Sequence, residues 1–120
     1  MMKNILDNVL VKSSSLVIAA LAISPLVFAT DNLTVDDVLA VEADADYGEY
    51  LAGECMTCHT GKNTNASIPD INGNESATIA LALLEYKYNE RENETMRLIA
   101  GTLGKEEIAA LTAYFSGLDK

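Results

Sequence analysis

The chain of 120 residues has no tryptophan, one histidine, two cysteines, two prolines and two phenylalanines. Basic side chains are also scarce: eight Lys and Arg stand against eighteen Asp and Glu, a formal net charge of −10. Each shortage closes off a class of function. An acidic surface repels phosphate backbones and anionic headgroups, so neither nucleic acid nor an anionic membrane is a predicted partner. A structural zinc site draws on four protein ligands, and two cysteines with one histidine leave it short. A pair of axial imidazoles is excluded by count alone. No strand pattern of any length follows residue 29, which makes the predicted class all-α.

What the chain does have is concentrated. Cys55-Met56-Thr57-Cys58-His59 holds both cysteines and the only histidine. C-x-x-C-H is the spacing of a c-type haem attachment site. Two thiols three positions apart, on one turn of helix, can each add across a vinyl group on one porphyrin edge. The residue that follows falls under the ring, where its imidazole can ligate the iron. Rival readings fit less of the motif. A Cys55–Cys58 disulfide closes too small a loop to add much stability and leaves His59 without a role. A thioredoxin-like redox pair belongs to a βαβ context that this sequence lacks. Two buried thiols beside a surface histidine is the plainest alternative.

Residues 1–29 read as a signal peptide. Lys3 and Lys12 give a positive n-region, Leu16 to Phe28 is apolar apart from Ser24 and Pro25, and Val27-Phe28-Ala29 places small residues at −3 and −1. The run is short of the roughly 20 apolar residues that span a bilayer. Cleavage after Ala29 leaves 91 residues with six Lys and Arg against seventeen Asp and Glu. Such a chain is one small domain, of the kind that usually needs a staple or a cofactor. Covalent haem fits that need, and export fits its attachment. The expected location is the periplasm, with no stable membrane insertion after cleavage and a neutral or basic surface as docking partner.

Residues 30–46 form an acidic, alanine-rich extension in which Val35, Val38 and Leu39 have helical spacing; a short helix and a loose tail both remain open. From Tyr47 the pattern firms, and 47–120 reads as the haem domain. Gly48, Leu51 and Cys55 share one helix face ending in the attachment motif. Gly61 to Asn74 is loop-like and carries Pro69. A helix resumes with Ser76 as expected N-cap and Ile79, Leu83 and Tyr86 as buried face, ending at a left-handed Asn89. A last helix over Lys105 to Leu118 carries Ile108, Leu111, Phe115 and Leu118 on one stripe, with Glu106 and Glu107 in its first turn.

With bis-histidine ligation excluded, a methionine thioether is the remaining strong sixth ligand. Met1 and Met2 leave with the leader, and Met56 lies inside the motif on the wrong face. Met96 is left, in the polar stretch NERENETMRL between two predicted helices. The alternative is a core methionine on a face shared with Ile99 and Leu103.

The segment from Tyr47 to Leu118 resembles a class I cytochrome c. Pro69-Asp70-Ile71-Asn72-Gly73 is similar to that family's P-x-[LI]-x-G loop, and Leu111-Thr112-Ala113-Tyr114 to the L-x-x-[YF] of its terminal helix. The run from Tyr86 to Arg91 and the stretch after it look most like domains of bacterial dihaem cytochromes and of the cytochrome subunit of flavocytochrome c sulfide dehydrogenase. There Asn89 stands where those relatives have glycine. The resemblance implies three to four helices packed around one covalent haem, with the first and last helices crossing near Gly48 and Leu51. It implies that the Pro69 carbonyl orients His59. Function is then expected to be periplasmic one-electron transfer with His59 and Met96 as metal ligands, not catalysis. A redox protein, such as a flavoprotein dehydrogenase subunit acting on sulfide or another sulfur compound, or a terminal oxidase, is the expected partner. A five-coordinate haem enzyme or sensor follows instead if Met96 does not ligate, and a thiol–disulfide module if no haem is attached.

Overall fold

The computed structural model describes residues 32–62 and 65–120. The predicted signal peptide lies outside the described residues. Among the described residues five helices follow in order: α1 (Val35–Leu39), α2 (Ala45–Cys55), α3 (Ser76–Lys87), α4 (Glu94–Thr102) and α5 (Lys105–Ser116). No strand occurs among the described residues, and none of the described helices is long and apolar enough to cross a membrane. The class is all-α, compatible with a class I cytochrome c fold. The count exceeds the expected three to four, because the open N-terminal segment forms α1 and the polar stretch around Met96 forms α4.

α1 is short but closed by local chemistry. The Asp37 amide donates to Thr34 Oγ1 at 3.2 Å, while the Thr34 hydroxyl and amide donate to Asp37 Oδ2 at 2.6 and 2.8 Å. This reciprocal cap turns the helix so that Val38, 1 % exposed, packs against Ala80, Leu84, Ile108 and Ala109. Burying one valine contributes roughly 1.5–3 kcal/mol. The Leu33 amide donates to the Tyr88 hydroxyl at 2.7 Å, tying the same segment to the end of α3.

α5 is the centre of the domain. Ile108 and Ala109 enter the cluster with Val38, whereas Leu111 and Phe115 enter a second one with Ala52 and Ile79. Three of the four residues of the predicted stripe are buried; Leu118 lies beyond the helix end and is half-buried. α2 crosses α5 at Gly48. A Cβ there would lie 2.9 Å from Tyr114 Cβ and 2.7 Å from the Ala110 carbonyl carbon, and closer still to the Ala110 oxygen. Only glycine lets the two backbones approach so closely.

α3 departs from expectation at both its start and its face. Ser76 is the first helical residue and Glu75 the cap position, without a side-chain capping bond. The Glu75 carbonyl already accepts from Thr78 and Ile79 at 3.0 and 3.1 Å, so the helix begins one residue earlier. Ile79, Ala80 and Leu84 are the buried residues; Leu83 and Tyr86 are half-buried and turn toward a cleft described below. The end is as expected, with Asn89 at φ 61°. The Asn89 and Glu90 amides donate to the Tyr86 and Glu85 carbonyls at 3.2 and 2.7 Å, the bond pair of a Schellman cap.

Two predictions follow from these contacts. Gly48→Ala should lower unfolding stability by roughly 1–3 kcal/mol through overpacking. Gly53→Ala in the same helix, with nothing within 4 Å of its Cβ, should be neutral or stabilising, so equal effects in denaturant titrations would refute the crossing. The Asp37 carboxyl is held below its ordinary value by the Thr34 hydroxyl first and the Thr34 amide second. A carboxyl lowered in the folded state stabilises above its unfolded pKa, and that contribution is lost as pH falls through the folded value. Asp37→Asn should therefore reduce the melting temperature slightly at neutral pH, and the difference should close in acid.

Candidate functional site

α2 ends at Cys55, and the chain turns tightly around that point. The Met56 amide donates to Ala52, and the Cys58 and His59 amides both donate to the Cys55 carbonyl at 3.2 and 2.9 Å. One turn thus gathers the two thiols and the imidazole at the end of the helix that Gly48 seats on α5. Cys55 is a half-buried free thiol, and burial raises its pKa above the usual thiol value. Cys58 is exposed and His59 half-buried.

The loop after the motif is fastened to the domain from both sides. Gly73, at φ 63°, donates its amide to the Phe115 carbonyl at 2.8 Å, and a Cβ there would lie 2.7 Å from the Leu118 oxygen. Four residues earlier, the Pro69 carbonyl lies 2.7 Å from His59 Nδ1. A carbonyl oxygen only accepts, so Nδ1 carries the proton and donates. The lone pair of the neutral ring is then on Nε2, the tautomer suited to metal ligation.

Between α2, α3, α4 and the Pro69 loop lies a cleft of about 440 Å³. Cys55, Cys58, His59, Pro69 and Met96 all line it, so the structure brings together every site residue expected from the sequence. Leu111 and Phe115, 3 % and 0 % exposed, belong to the core on which it rests. Ile79, Leu83 and Tyr86 line it from α3 and Ile99 from α4. Among the described residues, Glu54 and Arg91 are its only Asp, Glu, Lys or Arg lining groups. An apolar cleft with two thiols at one side, a correctly protonated imidazole and a thioether fits a covalently held haem. The imidazole nitrogen and the thioether sulfur are one of the donor pairs that haem iron takes.

Met96, expected in a polar stretch between two helices, stands on a helix of its own. It sits in the first turn of α4, where Asn93 is the N-cap and its Oδ1 accepts the Met96 amide at 3.0 Å. The helix keeps Met96, Ile99 and Leu103 on the cleft side. Sequence reasoning missed Asn93 and Arg91. An Asn followed at once by an acidic first turn was the available signal for the cap. Arg91 stacks over the Tyr86 ring at 5.3 Å, a contact that separation in sequence conceals. Tyr47 and Tyr50 are exposed, Tyr50 by 81 %, and stand apart from the cleft; Tyr86 is the tyrosine that lines it.

No protein-family model matches the chain. It is similar to cytochrome c4 of Azotobacter vinelandii, with 32 % identity over 71 residues. The match takes in 53 % of this chain and 34 % of that protein, so the chain spans about a third of the length of the curated relative it matches.

Asn93→Ala should loosen the first turn of α4 by about 1 kcal/mol, the usual worth of an N-cap. Amide exchange should then quicken at residues 94–97 and stay unchanged in α5; uniform protection across both helices would contradict the cap's role.

Proposed function

We propose that this chain is an exported, monohaem c-type cytochrome that carries one electron at a time in the periplasm. The observation that supports this most directly is the convergence of Cys55, Cys58, His59 and Met96 on one apolar cleft, with the His59 proton committed to Pro69. The similarity to a cytochrome agrees with it.

The chemistry that a haem would supply here is one-electron exchange between ferric and ferrous iron. The chain's residues do the rest. Cys55 and Cys58 tether the porphyrin by thioether bonds, so that it stays with the protein in both states. His59 ligates through Nε2, and the Pro69 carbonyl keeps the ring oriented and electron-rich. The Met96 thioether, a soft ligand, favours the reduced state and raises the potential. Ile79, Leu83, Leu111 and Phe115 exclude water, which disfavours the more highly charged ferric state in the same direction. His59 and Met96 together would leave the iron no free position for a substrate, so the reading is an electron-transfer protein and not an enzyme. Its excess of carboxylates directs it toward a neutral or basic face on a redox partner. A flavoprotein dehydrogenase subunit acting on sulfide or another sulfur compound, and a terminal oxidase, are the partner classes consistent with the resemblance.

The test is optical. Protein exported from a host able to attach haem should give a sharp reduced α-band, keep its haem on a denaturing gel, and show the weak far-red sulfur-to-iron band when oxidised. Met96→Ala should become high-spin, lose the far-red band, lower the potential and admit carbon monoxide in the reduced state. An unchanged spectrum in that variant removes Met96 as ligand and leaves the five-coordinate reading. A colourless protein with a titratable Cys55–Cys58 pair sinks the haem reading as a whole.

A further inference from the structure

α4, which carries Met96, is held in an unusual way. Of its nine residues only Ala100 is buried, and among the described helices it packs on α3 alone. Leu98 is 69 % and Ile99 39 % exposed. Apolar burial therefore does little to set where this helix lies, and a segment with so few buried contacts opens easily. Polar bonds from outside the cleft take over that task. The Arg97 guanidinium reaches back to the turn that joins α3 to α4. Its Nε donates to the Arg91 carbonyl at 2.8 Å, and its Nη2 to Glu92 Oε1 at 2.8 Å and to the Asn89 carbonyl at 3.4 Å. At the other end, Lys87 Nζ from α3 donates to the Gly101 and Leu103 carbonyls at 3.2 and 2.7 Å.

These bonds differ in worth. The Glu92 carboxylate is 93 % exposed, so solvent screens that ion pair and it adds little. The carbonyl bonds are charge-assisted, and the Arg97 side chain is itself only 28 % exposed. Successive helix residues point about 100° apart, so Arg97 grips the turn while Met96, its neighbour, faces the cleft. Lys87 satisfies carbonyls that the last turn of α4 leaves without helical partners.

We propose that Arg97 and Lys87 are positioning residues for Met96: together they fix α4 along α3 so that the thioether stays at the iron instead of swinging out with a lightly buried helix. This rests on the reading of Met96 as an iron ligand. An external ligand such as imidazole competes for the same coordination position, and its apparent affinity rises as the fraction of protein holding its thioether falls.

The experiment uses the haem-loaded protein with Arg97→Ala, Arg97→Lys, Lys87→Ala and, as control, Leu98→Ala. Each is read by the far-red band of the oxidised form, by imidazole titration, and by far-UV circular dichroism. Arg97→Ala and Lys87→Ala should weaken the far-red band and bind imidazole about tenfold more tightly, with overall helix content and haem retention as in the parent. Arg97→Lys keeps the charge but cannot span two carbonyls with a fixed fork, so it should follow Arg97→Ala. Leu98→Ala should match the parent. Parent-like bands and imidazole affinities in the Arg97 and Lys87 variants overturn the proposal while leaving Met96 as ligand. Equal shifts in Leu98→Ala also overturn it, since any change in α4 would then suffice. Absence of the far-red band from the parent protein itself removes the ligand reading and this proposal with it.

Discussion

The contact between the α2 and α5 backbones at Gly48 governs where everything else on the haem side can lie. A side chain at this point would meet Ala110 and Tyr114, so the crossing exists only because the position is glycine. With the helices seated this closely, Ala52 and Phe115 enter the same cluster. Cys55 then emerges at the edge of the cleft that Leu111 and Phe115 underlie. The motif follows within one turn, so the close approach at Gly48 helps to bring two thiols and an imidazole to the cleft together.

The two sides of the cleft are held by different physics. Cys55, Cys58 and His59 stand at the end of a helix embedded in the core, and the Pro69 loop is fastened to α5 through Gly73. Met96 stands on a helix with one buried residue and a set of polar bonds. For the proposed electron carrier that asymmetry is useful. The imidazole side, which would carry the covalent tether, would need no adjustment between redox states. On that reading the thioether side would hold a weak neutral ligand on an iron whose charge changes, and directional hydrogen bonds specify the place of α4 at small cost in buried area.

Charge follows a similar division. Every charged residue from Asn32 to Gly61 is a carboxylate, seven in all, and each is exposed. The cations of the described chain begin at Lys62, and three of them, Lys87, Arg91 and Arg97, act around α3 and α4. The acidic half suits solubility and would orient the basic partner proposed above, whereas these three basic residues are engaged in local structure.

The haem motif, the apolar stripe of α5, the left-handed Asn89 and the candidate sixth ligand were all readable in the sequence. Each depends on residue type at short spacing: C-x-x-C-H within one turn, Ile108, Leu111 and Phe115 within two, and a lone methionine by elimination. The start of α3, the helix around Met96 and the true buried face of α3 were not readable. Whether Ser76 or Glu75 starts α3 depends on which carbonyl the incoming chain offers. The helix around Met96 is amphipathic but only nine residues long, and the polar stretch that leads into it hides the short face of Met96 and Ile99. Leu83 and Tyr86 have the spacing of core residues but face a cleft, since periodicity distinguishes apolar from polar surroundings and not protein from cofactor. Composition and spacing by themselves determined the class and named the candidate tether and ligands. Only the tertiary structure decided that five dispersed residues share one cleft and that a carbonyl ten residues away sets the tautomer of His59, because proximity between distant segments arises from packing and leaves no periodic trace in the chain.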